Sequence, residues 1–189
     1  MAERLTADAA LALLANTLAT ASGLVVLVTV LAPISGAHLN PAVTLVMALR
    51  REHPWPWLLP YALAQLLGAA SGVWLAHAMF AEPLWQVSAT ARDGASQALS
   101  EGVATFGLLL AVLGARHRPD AVPALVGLWI ASAYWFTAST SFANPAVTFA
   151  RALTSTFAGI APASVPAFLL AQLAGAALAW ALAGWLLRR

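Results

Sequence analysis

The chain has 189 residues, of which 61% are hydrophobic and 8% are charged, and its mean hydropathy is +0.82. A soluble single domain does not have this composition, so the sequence predicts an integral membrane protein. The lack of cysteine excludes disulfides and thiolate metal sites, and a scattered net charge of +2 gives no support to nucleic-acid binding.

Five apolar stretches are long enough for spanning helices, which need about 20 mostly apolar residues. In chain order they are roughly 9–33, 57–80, 97–115, 121–140 and 165–187. Arginines cluster between and after them, at 50–51, 116–118 and 188–189. The excess of positive charge on cytoplasmic loops therefore predicts that these segments are cytoplasmic. The N-terminus and the 81–96 loop are then expected to face outside.

Two short apolar segments begin with the same pentapeptide, Asn-Pro-Ala-Val-Thr, at residues 40–44 and 144–148. From Asn40 the apolar run reaches only Leu49, about 15 Å of helix, or half of the hydrocarbon core. Asparagine is a preferred N-cap, and proline fits the first helical position. Each segment is therefore predicted to be a half-helix that begins deep in the membrane. Irregular backbone at that depth must be buried in protein or line a watery cavity.

A second similarity links the two halves, because AQLLGAASGVWLA at 64–76 returns as AQLAGAALAWALA at 171–183. We interpret 1–189 as one channel domain made of two repeats, 1–80 and 97–189. Three predicted spans separate the half-helices, so these enter from opposite faces and their N-termini meet near the midplane. The positive dipole ends there disfavour cations and protons, while the asparagine amides can serve a neutral solute.

Three segments carry a family resemblance: SGAHLNPAVT at 35–44, EGVATFGLLL at 101–110 and SFANPAVTFAR at 141–151. With them, nearly the whole chain resembles the aquaporin, or major intrinsic protein, family. The resemblance implies an all-α membrane protein with an inverted repeat. It also implies a homotetramer of independent pores in a lipid bilayer, with passive transport of water or small neutral solutes and no cofactor.

The resemblance also implies roles for individual residues. The pore motifs would be Asn40, Pro41, Ala42, Asn144, Pro145 and Ala146. Glu101 would hold the second motif loop by accepting backbone N–H bonds, although an interfacial carboxylate near a helix end is the alternative. His38 would line the cytoplasmic approach to the pore. No histidines or carboxylates show a metal-ligand spacing, so no metal site is predicted.

The number of spans departs from the family, whose members have six spanning helices. Only 39 residues precede Asn40, whereas Glu101 lies farther than that before Asn144. We therefore expect five spanning helices here and the first helix of the family fold to be absent. A misplaced start, a truncated gene and a fragment are all open explanations.

The constriction is the second departure, because Val147 stands where the family usually has an arginine. Counting from the asparagines without gaps places its other members at Thr20, Ser132 and Ser141. This set has neither ring nor charge, which predicts a wide, hydroxyl-lined filter. Such a filter suits glycerol-type polyols and metalloid hydroxides such as arsenite, as in bacterial members that resemble metalloid-permeable channels.

Arg151 follows Val147 by one helical turn and shares its helix face. Its guanidinium either reaches back toward the constriction or lies at the membrane interface, alone or with a loop acid. The sequence does not choose between these placements.

Two other functions stay open. An inverted-repeat secondary transporter would need intramembrane ligands for a coupling ion, and Glu101 is the one carboxylate in a predicted span. A truncated aquaporin fragment that inserts without conducting is the other. No nucleophile–base pair is evident, so an enzyme is not predicted. We expect a multi-pass protein of a bacterial plasma membrane.

Overall fold

The computed structural model describes residues 1–187, and within this range the chain forms helices and no strand. Its α-helices are α1 (Ala2–Leu5), α2 (Ala9–Ser35), α3 (Pro41–Leu49), α4 (Leu58–Met79), α5 (Ala95–Gly114), α6 (Val122–Phe136), α7 (Pro145–Arg151) and α8 (Val165–Leu186). Single 3₁₀ turns precede α4, α6 and α8. Arg188 and Arg189, which contributed to the charge pattern, lie outside the described residues.

Four helices, α2, α4, α5 and α8, are long and apolar enough to cross a membrane, the second and fourth together with their 3₁₀ turns. The prediction of an all-α membrane protein is confirmed. The fourth predicted span, 121–140, is too long, because α6 has 15 residues and ends at Phe136. The chain leaves the helix at Thr137, whose φ of −104° and ψ of 142° are extended. The N–H of Ala138 then binds Ser100 Oγ at 3.0 Å.

Local sequence explains where the other helices begin and end. Asp8 caps α2, since its Oδ1 accepts from the N–H groups of Ala10 and Leu11 at 2.8 and 3.1 Å. The same helix continues through Pro33 and stops at Gly36, whose φ of +79° is left-handed and favours glycine. Both α3 and α7 start with an asparagine cap followed by proline.

The packing places the two half-helices between longer helices. Among the described elements, α5 packs most extensively against α8, and α2 packs against α6. The half-helix α3 lies against α4 and α8, and α7 lies against the same two helices. One buried cluster joins α3 to α5 and α8, and another joins α5 and α6 to Ala143 of the second motif loop. The two motif loops therefore sit at the centre of the helix bundle.

A glycine sets the distance between α5 and α8. A Cβ atom added to Gly175 would lie 2.2 Å from the carbonyl oxygen of Gly102, which is closer than any real contact. Gly68 occupies the corresponding place in the AQL segment of α4, and there a Cβ would meet no atom within 4 Å.

We therefore predict that Gly175→Ala destabilises the protein by about 1–3 kcal/mol, since it must push two packed backbones apart. Gly68→Ala is the matched control and should be neutral, because its methyl group enters open space. Thermal unfolding of the purified protein in detergent measures both. Equal midpoints for the two variants would contradict the close α5–α8 contact.

Candidate solute pathway

The two pore asparagines are joined across the centre of the molecule by reciprocal hydrogen bonds. Asn40 Nδ2 donates to the carbonyl oxygen of Ala143 at 2.7 Å, and Asn144 Nδ2 donates to that of Leu39 at 2.8 Å. Each amide thus binds the carbonyl group that directly precedes the other asparagine. These two bonds hold the N-termini of α3 and α7 together.

The same asparagines cap their own half-helices. Asn40 Oδ1 accepts from the N–H of Ala42 at 2.9 Å. Asn144 Oδ1 accepts from Ala146 at 2.9 Å and from Val147 at 3.4 Å. An amide nitrogen carries two protons, and one from each asparagine goes to the opposite loop. The second has no acceptor among the described residues, so each asparagine keeps one donor for a solute.

Backbone strain is concentrated in both motif loops. Ala37 and Leu39 have φ values of +47° and +51°, and Ser141 and Ala143 have +47° and +49°. These are the residues three and one before each asparagine. A non-glycine residue in this region costs of order 1–3 kcal/mol and persists only where surrounding contacts impose it, which is typical of functional sites.

Glu101 supplies those contacts for the second loop. Its side chain is fully buried, and Oε1 accepts from Phe142 N–H at 2.8 Å and from Ser139 Oγ at 2.6 Å. Oε2 accepts from Ala143 N–H at 2.8 Å and from Gln172 Nε2 at 2.6 Å. Four donors offset the cost of burying the carboxylate. The residue lies well inside α5 and not at a helix end.

On the first loop, His38 belongs to a smaller network. Its Nδ1 lies 3.2 Å from Thr44 Oγ1, which also accepts from Gln65 Nε2 at 3.0 Å. The single Thr44 hydroxyl proton goes to the carbonyl oxygen of Asn40 at 3.1 Å. His38 Nδ1 must therefore be the donor, and in the neutral ring Nε2 stays an acceptor.

A cavity of about 530 Å³ passes both asparagines. At one end it is lined by Glu52 and Arg116, and toward the other end by Arg151. His38 also lies on its wall. Asn40, Asn144 and the strained loops thus face a space large enough for several water molecules.

Three of the four residues assigned to the constriction line this cavity: Thr20, Ser141 and Val147. Ser141 is 2% exposed, and its Oγ has no partner among the described residues. Ser132 does not line the cavity. It lies on the exposed side of α6, where its Oγ donates to the carbonyl oxygen of Leu128 at 2.9 Å.

The structure does not bring Ser132 to this cavity, because counting along the chain does not set the phase of a helix. The cavity face of α6 consists of Pro123 together with a set that recurs every four residues, Val122, Val126, Ile130 and Tyr134. Ser132 lies midway between the last two and points to another side. This periodicity is visible in the sequence and would have selected Tyr134.

Arg151 lies at the cavity wall and not alone at the interface. Its guanidinium carbon is 4.2 Å from the centroid of the Phe142 ring, and its Nη2 donates to Tyr134 Oη at 3.3 Å. No ion pair is recorded for it in residues 1–187. The expected absence of rings and charge from the constriction therefore does not hold for this wall, which contains two aromatic rings and a cation.

Nothing in residues 1–187 groups three or more histidine, aspartate or glutamate side chains in a way that could hold a metal ion. The polar groups on the cavity are amides, hydroxyls, an imidazole and the charged side chains of Glu52, Arg116 and Arg151. This set can exchange hydrogen bonds with a neutral hydroxylated solute.

Comparison with known proteins decides the family. The family model described as Major intrinsic protein matches residues 2–137. This chain belongs to the major intrinsic protein family. It is 56% identical over 189 residues to Aquaglyceroporin AqpS of Rhizobium meliloti (strain 1021), covering all of this chain and 81% of that protein.

More distant members of the family also match. Aquaporin NIP2-2 of Zea mays is 35% identical over 145 residues, which is 71% of this chain and 49% of that protein. The Glycerol uptake facilitator protein of Streptococcus pneumoniae is 41% identical over 91 residues, 42% of this chain and 39% of the relative. The match thus spans about half or less of these two relatives. This chain is therefore an integral, multi-pass membrane protein.

For the buried carboxylate we predict that Glu101→Gln destabilises this major intrinsic protein by about 2–4 kcal/mol, because an NH₂ group would face backbone or side-chain donors. Ser100→Ala is the control. This variant also removes a side-chain oxygen that accepts a backbone N–H bond, here from Ala138, but the bond is exposed to solvent. Thermal unfolding measures the effect, and a midpoint for Glu101→Gln no lower than that of the control would contradict it.

Proposed function

We propose that the chain is a passive channel for water and small uncharged solutes, with glycerol-type polyols and metalloid hydroxides such as arsenite as its substrate class. One observation carries the proposal: one cavity is lined by two asparagines, each of which donates a hydrogen bond to the loop of the other and keeps a second amide proton free. The relatives support it, since one is named an aquaglyceroporin and another a glycerol uptake facilitator.

The polar groups on the cavity suit a small hydroxylated solute. At the centre, the free N–H groups of Asn40 and Asn144 can donate to hydroxyl oxygens. His38 Nε2 can accept a hydroxyl proton on one side, and Ser141 Oγ can do both on the other. Val147 adds an apolar surface for a carbon backbone. A solute therefore exchanges hydrogen bonds with water for hydrogen bonds with the wall.

Charge on the wall disfavours cations. Arg151 is the last residue of α7, and its guanidinium lies at the cavity wall against the Phe142 ring. The N-terminus of α7 adds the positive end formed by its backbone N–H groups. A neutral solute does not experience this repulsion, so the arrangement separates uncharged molecules from cations. Within the proposal, 1–189 acts as one channel unit with repeats 1–80 and 97–189, and four copies associate with independent pores.

Light scattering from proteoliposomes tests the proposal. After a glycerol shock, vesicles that contain the chain should shrink quickly and then re-swell quickly, because water and glycerol both pass. A trace that matches empty liposomes would show a non-conducting chain. Saturable uptake that depends on an ion gradient would indicate a secondary transporter instead.

The filter itself is tested by Val147→Arg. The long cationic side chain would narrow the cavity beside Arg151, and an added barrier of about 1.4 kcal/mol or more would lower glycerol and arsenite flux by about tenfold or more. Val147→Ala keeps the site small and apolar and should conduct like the wild type. Comparable flux through the Val147→Arg variant would contradict the assignment of Val147 to the filter.

A further inference from the structure

Arg92 joins three segments near the Arg151 end of the cavity. It lies in the loop between α4 and α5, and its Nε donates to the carbonyl oxygen of Gly159 at 2.8 Å. Its Nη1 and Nη2 donate to the carbonyl oxygens of Ser139 and Phe157, each at 3.3 Å. One guanidinium thus ties its own loop to the segment after α7 and to the segment that precedes Asn144.

Ser139 is held from two directions by opposite charges. Its carbonyl oxygen accepts from Arg92, and its hydroxyl group donates to Glu101. Arg92 and Glu101 form no ion pair with each other. They act instead on the two ends of one residue, at the start of the strained 139–143 segment.

The Phe142 ring lies on the cavity wall and contacts the guanidinium groups of both Arg92 and Arg151. The Arg92 guanidinium carbon lies 5.1 Å from its centroid, and that of Arg151 lies 4.2 Å from it. The position of Phe142 therefore influences where the Arg151 cation lies. Arg92 itself does not line the cavity.

Holding a second cation here has an electrostatic cost. Burial lowers the pKa of Arg92, the nearby Arg151 lowers it further, and Glu101 acts in the opposite direction. A surface arginine would avoid this cost by extending into solvent. The three hydrogen bonds from the Arg92 side chain to carbonyl groups offset the cost and keep Arg92 in place.

The tied segment needs such support. Thr140, Ser141 and Ala143 all have left-handed φ values, between +47° and +57°. Each such residue costs of order 1–3 kcal/mol and relaxes unless neighbouring contacts hold it. Glu101 binds the N–H groups at one end of the segment, and Arg92 binds a carbonyl group at the other.

We propose that Arg92 is a positioning residue for solute selection: by fixing the Ser139 carbonyl and the Phe142 ring, it places Ser141 and Arg151 across the cavity. It sets the width of the pathway without contacting the solute. This inference rests on the proposed function for its transport consequence, whereas its structural consequence does not.

Two variants separate the guanidinium geometry from the charge. Arg92→Gln removes both, and Arg92→Lys keeps the charge but places its three donors on one nitrogen, which does not reproduce the fork through which Nε, Nη1 and Nη2 reach three separate carbonyl groups. Gln86→Ala is the matched control, since Gln86 ties the same loop to Ser155 but does not touch 139–143. All are compared with the wild-type chain in proteoliposomes.

The transport readout is the flux of erythritol, a four-carbon polyol, divided by the flux of glycerol. We expect this ratio to rise severalfold in both Arg92 variants, because a relaxed segment discriminates less by size, and to stay unchanged in Gln86→Ala. A fall of both fluxes by one common factor would overturn the proposal, as would wild-type selectivity in Arg92→Lys.

Hydrogen exchange gives a readout that needs no transport. The amides of Phe142 and Ala143 should exchange about tenfold faster in both Arg92 variants, which corresponds to about 1.4 kcal/mol of lost protection. Unchanged exchange in this segment would overturn the proposal. If the wild type passes neither polyol, the proposed function fails, and the exchange rates still decide whether Arg92 positions the segment.

Discussion

The structure depends on one reciprocal interaction, the pair of hydrogen bonds through which Asn40 and Asn144 each donate to the loop of the other. Two half-helices of nine and seven residues cannot cross a membrane. Their first N–H groups therefore lie deep in the bilayer, where the lipid offers no hydrogen-bond acceptor. The asparagine oxygens satisfy part of this need, and the amide groups join the two ends. The centre of the protein is therefore polar, fixed and adjacent to a cavity.

The surrounding helices keep this junction in place. α5 contributes Glu101, whose carboxylate binds the second loop, and its contact with α8 brings Gln172 to the same carboxylate. Gln172 Nε2 also donates to Thr148 Oγ1 at 2.8 Å, as Gln65 does to Thr44 in the other half. The first loop has no carboxylate of this kind within residues 1–187. From the other side of the second loop, Arg92 holds the carbonyl group of Ser139.

Much of this arrangement could be predicted from the sequence because it is local. The family followed from the repeated motifs, and the all-α membrane fold and most helix positions followed from the apolar runs. The two Asn-Pro pairs indicated where the half-helices begin, because asparagine is a preferred N-cap and proline fits the first helical position. Tertiary detail could not be predicted in the same way. After α6 ends at Phe136, Ala138 binds Ser100 of another helix, a contact that the local sequence does not indicate. Ser132 was assigned without its helical phase, and Arg92 acts through backbone carbonyls that leave no sequence signal.

The most direct test separates the bonds across the centre from the helix caps. Serine is a good N-cap but is too short to reach the opposite carbonyl group. Asn40→Ser and Asn144→Ser therefore remove the hydrogen bond to the opposite loop and keep the helix cap. The measurement is glycerol permeability of proteoliposomes, with circular dichroism as a check on helix content. We expect preserved helicity and a loss of flux of about tenfold or more, which corresponds to an added barrier of about 1.4 kcal/mol or more. Unchanged flux in both variants would contradict it.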